Sequence, residues 1–337
     1  MYFSDYMDAW LYGEEGYYKN FKAIGKEGDF YTAVSTSPFF GASIANYLWK
    51  KIESGEIPRD ALLLEIGAHQ GHLIGDMIQW LYTCDPTLVE SMRFAIVERQ
   101  PEVQEAQQAY IIDRFGGEVS VEQYASLEEL NESYAFVVAN EIFDAFPCNL
   151  VKDGEIATVD ENQIKWEEAP ISLLDKIEKY RQVKGEVAVG YEAFAEEMRK
   201  SFTHCDFLSF DYGEKYVRND FSIRLYKKHE TFPLFDEEVV LQEEFKKSDI
   251  TYDVNFEHAI DAFENAGFET VHYETQARAL VRFGLIDMLE AFARQTTQAN
   301  YLREVDKVKT LIAPTIMGDK FKLVHFRKQK GREDERV

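Results

Sequence analysis

A chain of 337 residues, 45% hydrophobic and 14% aromatic, has enough apolar material for a folded core and the length of one large domain with insertions, or of two domains. Its 61 acidic and 37 basic side chains leave a net charge of -24 at pH 7, so phosphate backbones find no basic footprint and nucleic acid is excluded as an expected partner. Such a field favours a basic protein segment, or simply solubility. Cys84, Cys148 and Cys205 lie far apart without a CxxC pair, the start MYFSDYMDAWLYGEE has neither a basic nor an apolar signal region, and no run of ~18 apolar residues occurs. A reduced, cytoplasmic protein without a membrane span is expected.

Residues 1–60 read as a mostly helical segment ahead of the first strand. Leu62–Ile66 is a buried strand, followed by a loop with Gly67 and Gly71 and a helix whose Leu73, Ile74, Met77, Ile78 and Leu81 form one apolar stripe. Phe94–Glu98 is the next strand, and Pro101 opens the helix after it. Ser126 and Glu129 have the spacing of a capping box before a short helix, and Tyr134–Asn140 is another buried strand. Residues 151–203 form an insertion before a fourth strand, Phe207–Gly213. Phe268–Tyr273 and Phe321–Arg327 read as strands around a helical stretch at 276–311. The N-terminal segment, the insertion and this last piece are expected to form one auxiliary layer over the strand ends. The alternation predicts an α/β fold with a parallel sheet, spanning 61–328, and a frayed charged tail at 329–337.

The segment LLLEIGAHQGHL raises the question of a cofactor. A nicotinamide site uses GxGxxG with a pyrophosphate at the helix N-terminus. Here the spacing is ExGxxxG, and His69 stands where a further glycine is expected. Glu65 repels a pyrophosphate but suits a cationic cofactor, and S-adenosylmethionine carries an ammonium and a sulfonium without phosphate. Glu98, ending the second strand, is placed to accept two ribose hydroxyls. His69 and His72 lack further ligands at metal spacing, so no metal is expected.

The chain also resembles the MidA-like methyltransferases, from Gly28 to Lys328, in blocks that keep the family order. These are GDFYT (Gly28–Thr32) with FFG (Phe39–Gly41), EIGAHQGHL, VERQP (Val97–Pro101), NEIFDAFP (Asn140–Pro147), DYG (Asp211–Gly213), KKH (Lys227–His229), DIT with VNF (Asp249–Phe256), and TQ (Thr275–Gln276). The resemblance implies a class I methyltransferase fold, Rossmann-like, with a mostly parallel sheet and an antiparallel last strand. It implies S-adenosylmethionine as methyl donor, bound by Asp29, Phe30, Thr32, Glu65, Gly67, Ala68, Gly71 and Glu98. Asn140, Glu141 and Asp144 are its implied catalytic residues. The characterised eukaryotic relative is associated with arginine dimethylation of a respiratory complex I subunit. Two positions depart from the pattern: His69 replaces the middle loop glycine, and Ser35 replaces a glutamate in a TSPE segment. His69 is expected to be tolerated because Gly67 and Gly71 keep the two backbone-critical positions.

A guanidinium is protonated and poorly nucleophilic, so carboxylates must orient it and accept a proton. If a turn or helix follows Asn140, the i,i+3 spacing puts Glu141 and Asp144 on one side. Alternatively Asp144 caps the next segment and Glu141 binds loop amides. Asp211 is read as fixing its loop, and His229 as a substrate contact or a structural histidine. The favoured function is a protein arginine methyltransferase; a small-molecule methyltransferase and a non-catalytic assembly protein on the same fold are the other readings.

Overall fold

A computed structural model describes residues 1–19, 32–227 and 230–329. They fall into two compact units: a sheet unit of residues 32–140, 196–210 and 267–329, and an N-terminal unit of 1–19, 141–195, 211–227 and 230–266. These boundaries do not follow the expected break at residue 60, and the three pieces expected in one auxiliary layer are divided between the units.

The sheet unit is built on seven strands. They are β1 (Leu62–Ile66), β2 (Arg93–Val97), β3 (Glu122–Tyr124), β4 (Glu132–Asn140), β5 (Phe202–Glu214, to Phe210 in this unit), β6 (Glu269–Thr275) and β7 (Phe321–Lys328). Their order is β6-β7-β5-β4-β1-β2-β3. β1 runs parallel to β2 and to β4, and β4 runs parallel to β5. Leu62, Leu63 and Leu64 are at most 1% exposed, as a strand covered on both faces requires. The mostly parallel α/β sheet is therefore as expected, with β7 antiparallel to β6.

Phe321–Lys328 and Glu269–Thr275 are thus strands of the central sheet and not part of an auxiliary layer. Phe321 to Phe326 are all buried, because β7 is an inner strand with neighbours on both sides. Spacing along the chain carries no information about that insertion. The helical stretch after β6 is three helices, Gln276–Arg282, Leu285–Gln295 and Gln298–Ile312. Gly284, at φ 100°, breaks the first from the second, and Thr297 caps the third through its side chain. The capping box expected at Ser126 does not form. Leu127–Glu129 is a single 3-10 turn without a side-chain cap, and Glu129 instead accepts the Ala125 N–H at 3.2 Å. One turn is too short to present the donors that a box satisfies.

Three adjacent strands share one buried anion. Asp206 on β5 accepts hydrogen bonds from Tyr134 of β4 at 2.6 Å, and from His325 and Arg327 of β7 at 2.6 and 2.9 Å. Burial works against its charge, yet these donors hold its pKa down to about 2.

The N-terminal unit has two antiparallel sheets. One has the order Gln163–Glu168, Glu155–Asp160, Cys148–Lys152, Lys184–Ala188, and the other Glu230–Pro233, Arg224–Lys227, Asp249–Thr251. Helix Phe3–Leu11 belongs to the same unit, where Trp10 donates to the Ser248 carbonyl at 2.8 Å and Tyr6 stacks on Phe245 at 4.6 Å. The insertion at 151–203 therefore combines strands with two helices, Ile171–Tyr180 and Tyr191–Ser201, and carries an apolar cluster of Val151, Ile156, Ala169, Leu173 and Val187.

Asp206→Asn leaves the Arg327 guanidinium facing a neutral amide and removes the anion that Tyr134 and His325 also bind, and should cost roughly 3–5 kcal/mol in urea unfolding. In the native chain the folded pKa lies below the unfolded value of about 3.9, so this stabilisation is complete above pH ~4 and lost as pH falls towards 2. An unchanged midpoint in the variant contradicts the assignment.

Candidate functional site

Parallel pairing sets the geometry of the sheet's carboxyl edge. Ile66 is level with Val97 on one side and with Ala139 on the other. The next residues, Gly67, Glu98 and Asn140, therefore lie side by side at the ends of β1, β2 and β4. The strand order reverses at β1, which is where such sheets open a crevice for ligands.

The loop after β1 turns on three left-handed residues. Gly67, His69 and Gly71 have φ of 70°, 46° and 79°, and the Gly71 N–H closes the turn on the Ala68 carbonyl at 2.7 Å. His69 is thus a third backbone-critical position, which corrects the expectation of two. Histidine visits this region more readily than branched residues do, and buried Gln107 holds the loop by donating to the His69 carbonyl at 2.8 Å. Gln107, on helix Pro101–Phe115, carried no sequence signal beyond being a polar residue on an apolar face.

Glu65 is 3% exposed and accepts the Ile74 N–H at 2.9 Å. Ile74 is the third residue of helix His72–Cys84, whose N-cap, Gly71, has no side chain. Glu65 thus supplies the cap from the strand. Burial raises its pKa to about 8, so a neighbouring cation would return it to the charged form. Glu98 is half-buried, with its pKa raised by burial, and one of its oxygens accepts the Gln100 N–H at 3.0 Å. Its backbone N–H binds the Tyr124 carbonyl of β3 at 2.9 Å.

Thr32 caps helix Ala33–Thr36 in a reciprocal box with Ser35: each side chain accepts the other's backbone N–H, at 3.1 and 3.0 Å. A TSPE segment has the spacing of the same box, so Ser35 preserves the local structure with a shorter side chain. Asp29, Phe30 and His229 lie outside the described residues. His72 contacts Gln70 at 2.7 Å and Tyr110 through its ring. Among the described residues, no group of three or more His, Cys, Asp or Glu could hold a metal.

Glu141 and Asp144 belong to the N-terminal unit. Only Phe143–Ala145 forms a 3-10 turn, and Glu141, at φ 56°, precedes it. The two acids therefore do not share one helical face. Asp211 holds the backbone of the turn that carries Asp144. Fully buried, it accepts the N–H groups of Phe143 and Asp144 at 2.8 and 3.3 Å, and that of Tyr212 at 2.9 Å. The reading of Asp211 as a loop-fixing residue matches these bonds. Asp144 is 4% exposed. Burial lifts its pKa to about 6 against the opposing pull of Tyr212 and Arg224. Burial, Asp144 and Glu141 together push Asp211 well above the carboxylate range.

A seven-stranded sheet of this order, with a left-handed loop after its first strand and an acid ending its second, defines the class I methyltransferase fold. A family model described as "Putative S-adenosyl-L-methionine-dependent methyltransferase" matches residues 43–274, and the chain belongs to that family. Among solved structures, a Burkholderia thailandensis protein bound to S-adenosyl-homocysteine superposes with a TM-score of 0.82, at 23% identity over 97% of this chain and 88% of the other. A native structure from the same organism gives 0.79 at 22% identity, over 97% and 87%. Curated relatives include a Drosophila melanogaster protein arginine methyltransferase, the mitochondrial NDUFAF7 homolog, 27% identical over 182 residues, or 48% of this chain and 38% of the relative. The Bos taurus mitochondrial protein arginine methyltransferase NDUFAF7 is 26% identical over 155 residues, 40% and 35%. The alignments thus span less than two fifths of these relatives' length.

His69→Gly should raise unfolding stability by up to about 1 kcal/mol. A left-handed conformation costs a non-glycine residue roughly 1–2 kcal/mol, partly offset by the larger unfolded-state entropy of glycine. Urea unfolding checks this, and a destabilised variant would show that the imidazole contributes contacts which outweigh the strain.

Proposed function

We propose that this S-adenosylmethionine-dependent methyltransferase acts on protein arginine, and that Glu141 and Asp144 serve the acceptor. The residues at the carboxyl edge of the sheet fit the cofactor. Gly67 and Gly71 keep side chains out of the loop, Glu98 presents a half-buried carboxyl for two ribose hydroxyls, and Glu65 adds a buried carboxyl for a cation. Ala68 and Asn140 border the same edge, and Thr32 holds the start of helix Ala33–Thr36. When bound, S-adenosylmethionine supplies an electrophilic methyl group.

The observation that carries the acceptor reading is the acidic turn directly after β4. A guanidinium that gains a methyl group must lose a proton. A carboxylate with a pKa of about 6 is a better base than one near 4, and is still ionised at neutral pH. Glu141, half-buried on the same turn, gives the cation a second carboxylate partner. The arginine methyltransferase names of the curated relatives support this reading, and the -24 net charge favours a basic protein segment. The backbone grip of Asp211 on Phe143 and Asp144 keeps the turn in place.

Two measurements test the proposal. In calorimetry Glu98→Ala should weaken S-adenosylmethionine binding at least tenfold, since each charge-assisted hydrogen bond is worth ~1.5–3 kcal/mol. Incubation with labelled cofactor and a lysate of the source organism, followed by mass spectrometry, should place methyl groups on protein arginine. Transfer should fall as pH drops through about 6, where Asp144 takes up a proton. It should fall ~100-fold in Asp144→Asn, while cofactor affinity is kept in that variant and in Glu141→Gln. Label on a small metabolite supports the small-molecule reading. Full transfer in both acid variants removes the assigned roles, and absence of cofactor binding favours a non-catalytic assembly protein.

A further inference from the structure

The N-terminal unit holds a cleft of about 260 Å³ unrelated to the acidic turn, lined among others by Lys184, Asp220, Phe221, Phe235 and Asp236. Two aromatic rings line its wall, and Trp166 packs beside them. Phe221 and Phe235 lie 4.5 Å apart between ring centroids, and Trp166 stacks on Phe235 at 6.4 Å and approaches Phe221 at 5.9 Å. The backbone of this wall is firmly held. Buried Glu186 accepts the N–H groups of Ser222 and Ile223 at 2.9 and 3.0 Å, and the Leu234 N–H binds the Ile223 carbonyl at 3.0 Å.

Two of the three rings already serve cations. Lys152 lies 5.9 Å from the Trp166 ring centroid and Lys184 lies 5.1 Å from that of Phe221. Phe235 is 43% exposed, a large apolar side chain left open to solvent on a preformed wall, and among the described residues no cation covers it. The chain continues from it as Asp236-Glu237-Glu238, all exposed, and Asp220 is exposed as well. Lys184 is ion-paired with Asp220 at 2.6 Å, so the acids at Asp236, Glu237 and Glu238 dominate the charge beside the open ring.

We infer that this cleft is an anchoring site for an arginine side chain in a basic segment of the protein partner, separate from the residues assigned to methyl transfer. A guanidinium stacks its plane on an aromatic face while its edge donates two parallel hydrogen bonds to a carboxylate, which an ammonium cannot do. Phe235 offers an exposed ring, and Asp236, one residue away, offers a carboxylate whose Oδ1 also accepts the Glu238 N–H at 3.0 Å. The fixed backbone of the wall lowers the ordering cost of binding. The inference rests on the reading of the substrate as a protein, but the site binds its guest without cofactor and without transfer.

The test uses the full chain and a nonapeptide of alternating arginine and glycine, titrated without cofactor while Trp166 fluorescence and calorimetric heat are followed. Binding should be detected, should weaken at least tenfold in Phe235→Ala and in Asp236→Lys, and should weaken severalfold when lysine replaces arginine in the peptide. S-adenosylmethionine affinity should stay unchanged in both variants, which separates a lost anchor from a misfolded protein. With a methylated protein in hand, the same variants should raise KM and leave kcat unchanged. Failure of transfer with intact peptide binding would count against the arginine acceptor and not against the anchor. No peptide binding, or equal binding by wild type, Phe235→Ala and Asp236→Lys, would overturn the anchor.

Discussion

The parallel register of β1 between β2 and β4 is the constraint on which the cofactor edge depends. It brings Gly67, Glu98 and Asn140 level although they are separated by tens of residues in the chain. Everything nearby serves that alignment. The leucines of β1 are buried from both faces, the loop reverses on three left-handed residues, and Glu65 reaches forward from the strand to cap the helix that the loop begins. A slip of one residue would turn Glu65 to the opposite face and uncouple the strand from its helix.

Buried carboxylates show how environment assigns different tasks to one kind of side chain. Asp206 meets a tyrosine, a histidine and an arginine, and stays ionised far into acid. It is a structural anion that stitches β4, β5 and β7. Asp144 and Asp211 are both raised by burial, and the charges of Asp144 and Glu141 push Asp211 further. Asp211 spends its oxygens on backbone N–H groups, so it shapes the turn and leaves Asp144 as the group poised near neutrality. Glu65 sits between these cases, with one backbone partner and a pKa raised to about 8.

Much of the fold was legible because its signals are local. Leu62–Ile66, Tyr134–Asn140 and Phe207–Gly213 are apolar enough to be strands in any context, and Pro101 does open a helix. The placement of β6 and β7 was not legible, since which strand lies between which is settled by long-range pairing. β3, with the sequence Glu122-Gln123-Tyr124, is half-buried at the sheet edge and has no apolar signature. Ser126 and Glu129 have the right residues for a capping box, but no helix long enough to need one. At the site, residue types were readable and backbone states were not. The left-handed angles of His69 and Glu141, and the grip of Gln107 on the loop, arise from tertiary packing. Ser35, a departure when read against a motif, is ordinary when read as a cap.

The most direct measurement is a crystal structure of the chain grown with S-adenosylhomocysteine. The account predicts the ribose hydroxyls on the Glu98 carboxylate and the homocysteine moiety along the Gly67–Gly71 loop, with His69 still left-handed. A ligand bound elsewhere, or a loop that must rearrange at His69 before anything binds, would contradict it.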